Sequence, residues 1–256
     1  MITATRHTLI AFTIALLLAS ALRSEAQPKA EIPATDADGW INLFNGKDLT
    51  GWEGLEGHWS VVDGAIQCME TKQTSVQSDL ILLCSKLNPE KFANFELRYS
   101  WKMVTPTGNS GVQFRSKIDR PQTLHVGGYQ ADIDAANTYT GIIYDEAGVA
   151  GNRGIMSKRG EKTVWDEKNK RTATPLAKSD AEIKKIIKPV GQWNDCVVVA
   201  DGNHIVYSIN GQVTTDMTDN SPHACKSGVI GLQMHQGYTM TIQFKDLKIK
   251  MLPDTK

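Results

Sequence analysis

GNSGVQFRS at 108–116 and HVGGYQADID at 125–134, joined by a short basic loop containing Pro121, decide the fold. Side chains alternate between the two faces of a β-strand. Reading both segments as strands therefore sets Gln113 and Arg115 on one face, and Gln130, Asp132 and Asp134 on one face of the next. The opposite faces carry Val112, Phe114, Tyr129, Ala131 and Ile133. One side of the pair is suited to burial, and the other offers amides, a guanidinium and carboxylates. Such a sheet is expected to bind something polar.

Strand signals continue on both sides of this pair. Upstream, WSVVDGAIQC at 59–68 reads as two strands joined by an Asp-Gly turn. DLILLCS at 79–85 and FELRYSWKM at 95–103 follow, the second alternating Phe95, Leu97, Tyr99 and Trp101 with Glu96, Arg98, Ser100 and Lys102. Downstream, TGIIYDE at 140–146 reads as a strand. Residues 191–216 read as a three-stranded meander with turns at Asp201-Gly202 and Asn210-Gly211. GVIGLQMH at 228–235 and TMTIQFKDLKIKM at 239–251 complete the set. The only helix signal is SDAEIKKIIK at 179–188, where Ser179 and Glu182 form a capping box and Pro189 ends the helix. About a dozen strands with so little helix predict an all-β jelly-roll sandwich of two antiparallel sheets. Residues 147–179, polar and glycine-containing, read as a long loop or a lid over a site.

The remaining features bound the class of protein. Residues 1–26 have a basic start at Arg6, an apolar run LIAFTIALLL at 9–18 and Ser24-Glu25-Ala26 before a cleavage point. That is the pattern of an export signal, and the apolar run is shorter than the about 20 residues a membrane span needs. A flexible leader is expected at 27–38 and a single domain at 39–253, with no membrane span after cleavage and a periplasmic or extracellular location. About 230 residues suffice for one well-buried all-β domain. Lysine plus arginine number 28, equal to aspartate plus glutamate. The balance gives no general attraction for nucleic acid. Of the four cysteines, Cys68 and Cys84 are the expected disulfide pair, with free buried thiols as the alternative.

Taken together, GWINLFNGKDLTGW, WSVVDGAI, FELRYSWK, GNSGVQFR, GYQADI, GQWNDCVV, INGQVTTD, GVIGLQMH and FKDLKIK occur in one order from Gly39 to Met251. That series resembles the DUF1080 family, named for 3-keto-α-glucoside 1,2-lyase and 3-keto-2-hydroxyglucal hydratase activities and also described as 3-keto-disaccharide hydrolases. The resemblance implies a concanavalin A-like jelly roll, and a substrate that is an oxidised (3-keto) glycoside or another carbohydrate. One departure is visible on the central strand. Many members carry Glu-x-Gln where this chain has Gln130-Ala131-Asp132, which moves the acid two residues along the same face.

A ketone at carbon 3 of a sugar acidifies the hydrogen at carbon 2, and the substituent at carbon 1 can then leave by elimination. The reaction needs a base, a stabiliser for the enolate oxygen and an acid for the leaving oxygen. Asp132 or His235 could be the base, Arg115 could hold the enolate, and Asp134, Asp145 or Glu146 could protonate the leaving group. Water addition to the enone runs the same groups in reverse and gives net hydrolysis. Asn109, Gln113, Gln130, Tyr144 and Gln233 are further candidates for sugar contact, and Trp165 is the candidate stacking platform. Asp132, Asp134, Glu146 and His235 could also supply ligands to a divalent metal ion. Bland readings stand beside these: Arg115 and Asp132 as a cross-strand ion pair, and Asn109 and Ser110 as turn formers. Two other functions fit the same surface, a two-carboxylate glycosidase acting on unoxidised sugars and a lectin-like module without catalysis.

Overall fold

A computed structural model describes residues 35–74, 78–85, 92–121 and 124–253. The expected signal segment and most of the leader lie outside them. Among the described residues the chain forms β1 (Trp40–Asn42), β2 (Trp52–Gly54), β3 (Trp59–Val62), β4 (Ala65–Glu70), β5 (Leu80–Cys84), β6 (Phe95–Met103), β7 (Asn109–Arg120) and β8 (His125–Asp134). Then follow β9 (Ile143–Glu146), β10 (Ile155–Ser157), β11 (Glu161–Trp165), β12 (Arg171–Pro175) and the short helix α1 (Asp180–Lys184). The chain closes with β13 (Asn194–Asp201), β14 (His204–Ile209), β15 (Gln212–Asp219), β16 (Val229–Met234) and β17 (Met240–Met251). Among the described residues no helix is long and apolar enough to cross a membrane.

These strands make a jelly-roll sandwich. One sheet has ten strands in the order β12-β11-β15-β14-β13-β6-β17-β4-β3, with β1 paired to β17. The other has seven, in the order β10-β9-β8-β7-β16-β5-β2. All pairings are antiparallel except that of β11 with β15. The inner faces interdigitate in one apolar cluster that includes Phe95, Leu97, Tyr99 and Trp101 from β6, Ile242, Phe244 and Ile249 from β17, and Val112, Phe114, Tyr129, Ala131 and Ile133 from β7 and β8. The period-2 reading thus identifies the core face of both central strands, and alternation is the reason. The capping box is present as expected: Ser179 accepts from the Glu182 backbone, and the Glu182 carboxylate accepts from the Ser179 backbone.

Three expectations change. Residues 147–179 are not a long loop: β10, β11 and β12 fall within them, and the last two extend the ten-stranded sheet. The strands escape the alternation test because β12 is an edge strand with little buried on either face, and β10 is only three residues long. Cys68 and Cys84 do not form a disulfide; all four cysteines are buried thiols outside any disulfide. They sit in different sheets, Cys68 with its sulfur against Met234 and Cys84 opposite Trp52 in the strand register. The third change is a bulge in β7, and it decides where Arg115 goes.

Between the Phe114–Tyr129 and Lys117–Gly127 pairs, Arg115 and Ser116 form an irregularity in the ladder, with Arg115 at φ 47°. A left-handed residue in a strand re-aims its side chain. Two glycines make room for the bulge. A Cβ on Gly128 would lie 2.8 Å from the Ser116 Cα, and one on Gly228 would collide with the Arg115 and Ser116 backbone. Both adopt positive φ, 142° and 156°, so glycine serves there on two counts.

Candidate active site

β7, β8, β9 and β10, with Tyr139 from the turn after β8 and His235 just past the end of β16, border a pocket of about 320 Å³ lined by Asn109, Gln130, Asp132, Tyr139, Tyr144, Glu146, Ile155 and His235. On β9, Tyr144 and Glu146 face it while Ile143 and Asp145 are buried behind. Asp132 is 5% exposed, and the side-chain donor to its carboxylate is Asn109, whose Nδ2 reaches Oδ1 in a long hydrogen bond of 3.3 Å. Burial raises its pKa to about 7, helped by the Asp134 charge; backbone and Asn109 hydrogen bonds partly oppose the shift, and Glu146 adds a small push upward. A carboxylate that titrates near neutrality in a pocket is equipped to take up a proton.

The surrounding groups are mostly donors. The Tyr144 phenol is raised above its ordinary value, first by burial and then by Glu146 and Asp132, so at neutral pH it is a protonated hydroxyl. His235 is an exposed ring at the rim, with Nδ1 at 2.8 Å from the Gln236 carbonyl and an edge-to-face contact with Tyr238. Under the pocket, Gln113 Nε2 donates to Gln130 Oε1 at 2.6 Å and Ser116 Oγ donates to Gln113 Oε1. Gln113 is therefore a buried support for Gln130. A side chain on Gly111 would collide with that same Gln130.

Beside the pocket lies a second group. Gln233 Nε2 donates to Asp79 Oδ2 at 3.0 Å and to Glu146 Oε2 at 3.1 Å, so side chains from β16 and β9 meet over the two strands between them. Asp79, His125 and Glu146 place one potential ligand atom each within 4.8 Å of one another. Of the four residues expected to ligate a metal, only Glu146 belongs to this group. Asp79, at the start of β5, was missed because no local pattern links it to β8 and β9.

Three expected site residues lie elsewhere. Arg115 is turned by the bulge away from the Gln113 face, and its guanidinium donates to the carbonyls of Ala93, Gly202 and Cys225 and to Asn94 Oδ1. Neither an enolate-holding role in this pocket nor an ion pair with Asp132 is open to it. Asp145 is buried on the core side of β9, accepting from the Ala150 and Arg153 backbone. Trp165 is buried, its indole donating to the Met156 carbonyl and its ring covered by Arg153, so it is no stacking platform. Asp134 is adjacent but occupied, its carboxylate accepting from the backbone of Thr138, Tyr139 and Thr140. It shapes the turn that carries Tyr139. Tyr139 and Ile155 line the pocket without any signal in the sequence.

Comparison with known proteins places the fold and the family. Two crystal structures of presumed glycosyl hydrolases from Parabacteroides distasonis superpose with TM-scores of 0.54 and 0.53. They are 20% and 18% identical, covering 85% and 83% of this chain and 95% and 99% of theirs, and they show the shared fold. A Bacteroides thetaiotaomicron protein described as a 3-keto-disaccharide hydrolase is 32% identical over 108 residues, 39% of this chain. The match spans 34%, about a third, of that relative's length. Residues 39–250 match the model of the 3-keto-alpha-glucoside-1,2-lyase-like domain, and the chain belongs to that family.

Proposed function

We propose that the protein acts on 3-keto-glycosides by removing the proton at carbon 2, with elimination at carbon 1, and that hydration of the resulting enone gives net hydrolysis. The observation that carries this reading is Asp132, a buried carboxyl with one weak side-chain hydrogen bond, raised to about 7 and opening into a donor-lined pocket. Family membership, shared with a relative described as a 3-keto-disaccharide hydrolase, supports the substrate class.

The ionised Asp132 takes the carbon 2 proton, and the electron pair of that C–H bond moves into the enolate of the carbon 3 ketone. The protonated Tyr144 hydroxyl is the donor best placed by its ionisation state to hold the enolate oxygen. The enolate then expels the carbon 1 substituent, which leaves as an alkoxide and takes a proton from His235 or from water reaching it at the open rim. Hydration reverses the sequence: water gives a proton to His235 or to solvent at the open rim as its oxygen bonds to carbon 1, and Asp132 returns its proton to carbon 2. Asn109 and Gln130 line the same pocket and offer amide contacts to sugar hydroxyls.

The test is to incubate the purified protein with a 3-keto-glucoside and with its unoxidised parent, following enone absorbance and released sugar. Turnover of the keto sugar alone is expected. Cleavage of the parent at a comparable rate points instead to a two-carboxylate glycosidase, and binding without turnover to a lectin. We further place the protein outside the cytoplasm, on the strength of residues 1–26. N-terminal sequencing of exported material should begin at Gln27, and a retained Met1 contradicts it.

A further inference from the structure

We propose that Asp79, His125 and Glu146, with the side-chain amide of Gln233, form a binding site for one first-row divalent metal ion at the edge of the pocket. Ligand atoms around a single ion are separated by up to about twice the metal–ligand distance of roughly 2.0–2.2 Å for nitrogen and oxygen donors. The three groups, mutually within 4.8 Å, are near that spacing.

Two observations outside the triad point to a ligand. First, His125 Nδ1 lies 2.5 Å from Asp119 Oδ1, which leaves Nε2 as the nitrogen free to ligate. A carboxylate holding the far nitrogen of an imidazole is the arrangement that orients metal-binding histidines and fixes their tautomer. Second, Gln233 is fully buried, and its Oε1 has no hydrogen-bond partner although its Nε2 serves both Asp79 and Glu146. A buried amide oxygen without a partner costs free energy. Rotation about the last, soft side-chain torsion offers that oxygen to a cation as a neutral donor.

Electrostatics favour the same occupant. Asp79 and Glu146 are drawn together by one neutral amide, and among the described residues neither has a lysine or arginine within ion-pair distance; Asp79 has only His235, at 3.8 Å. A divalent cation neutralises both carboxylates at once. The mixed set of two carboxylates, an imidazole and an amide suits Mn²⁺, Co²⁺ or Zn²⁺ better than Ca²⁺, which prefers oxygen alone. Since Glu146 also lines the pocket, an ion held there borders the sugar site and can accept a sugar oxygen as a further ligand. That last step rests on the function proposed above; the binding does not.

The test is calorimetric titration of the chelator-stripped full chain, without sugar, with Mn²⁺, Zn²⁺ and Ca²⁺, and a Co²⁺ titration read by visible absorption. The expected result is one saturable site that takes Zn²⁺ or Mn²⁺ in preference to Ca²⁺. Asp79→Asn and His125→Gln should each weaken it at least about tenfold, Asp119→Ala about tenfold, and His125→Gln should alter the Co²⁺ spectrum. Asp132→Asn should bind metal as the wild type does. Circular dichroism and melting temperature show whether each variant is folded. The absence of saturable binding to the wild type overturns the proposal. So does binding that folded Asp79→Asn and His125→Gln leave unchanged, which marks an adventitious ion only.

Discussion

Arg115 on β7 and Asp132 on β8 lie on paired strands, each at most 5% exposed, and their surroundings differ in kind. The guanidinium has three backbone carbonyls and an amide oxygen as acceptors. The carboxylate has one long amide contact and faces an open pocket. Burial lowers the Arg115 pKa from its ordinary value, yet carbonyl dipoles hold the charge in place. At Asp132 burial is met by little hydrogen bonding, so protonation becomes the way to relieve it. A buried charge with all its partners holds a structure together, and one left short of partners is ready for chemistry.

That contrast can be broken from either side. The largest effect is expected from Asp132→Asn, which keeps the shape and removes the base: turnover of a 3-keto-glucoside should fall at least about a hundredfold. Wild-type turnover should rise with pH through an apparent pKa near 7, because the ionised form is active. The same variant should be more stable than the wild type at pH 8. The sign follows from the raised pKa: protonated Asp132 suits the folded state, so stability is lost as pH rises from the unfolded value near 3.8 through about 7. At roughly 1.4 kcal/mol per pH unit the gain is at most about 4 kcal/mol. It should vanish near pH 3, as melting temperatures across pH can check.

Arg115→Lys should do the reverse. An ammonium cannot reproduce the planar fork, so denaturant melts should show a loss of about 3 kcal/mol, while KM of the folded fraction changes less than about threefold. A large change in turnover without a loss of stability would place Arg115 back in the chemistry. Trp165→Phe removes one buried indole hydrogen bond and should cost about 1 kcal/mol, with no change in KM for the sugar.

The central strands were legible because alternation is a local property: Val112, Phe114, Tyr129, Ala131 and Ile133 fall on the core side as period 2 requires. Arg115 was misplaced because one left-handed residue interrupts that period, and its cause lies in Gly128 and Gly228, distant in sequence. Of the candidate site, Asp132, Glu146, Tyr144, Asn109, Gln130 and His235 line one pocket. Gln113, Gln233 and Asp134 support its surroundings, and Asp145 and Trp165 lie buried away from it. Asp145 and Glu146 are neighbours on β9 and so face opposite ways, which alternation alone implies. Asp79 and His125 join Glu146 only through the folding of three separate strands.

The measurement closest to the central claim is hydrogen exchange at carbon 2. A 3-keto-glucoside incubated in heavy water with the wild type and with Asp132→Asn, at pH 6 and pH 8, reports by NMR whether the carbon 2 proton is removed and by which group. Enzyme-dependent exchange or elimination that is faster at pH 8, and at least about a hundredfold slower in the folded variant, is the result expected of a carboxylate base titrating near 7. Equal rates in the two proteins, or release of the sugar with carbon 2 hydrogen retained, would contradict it.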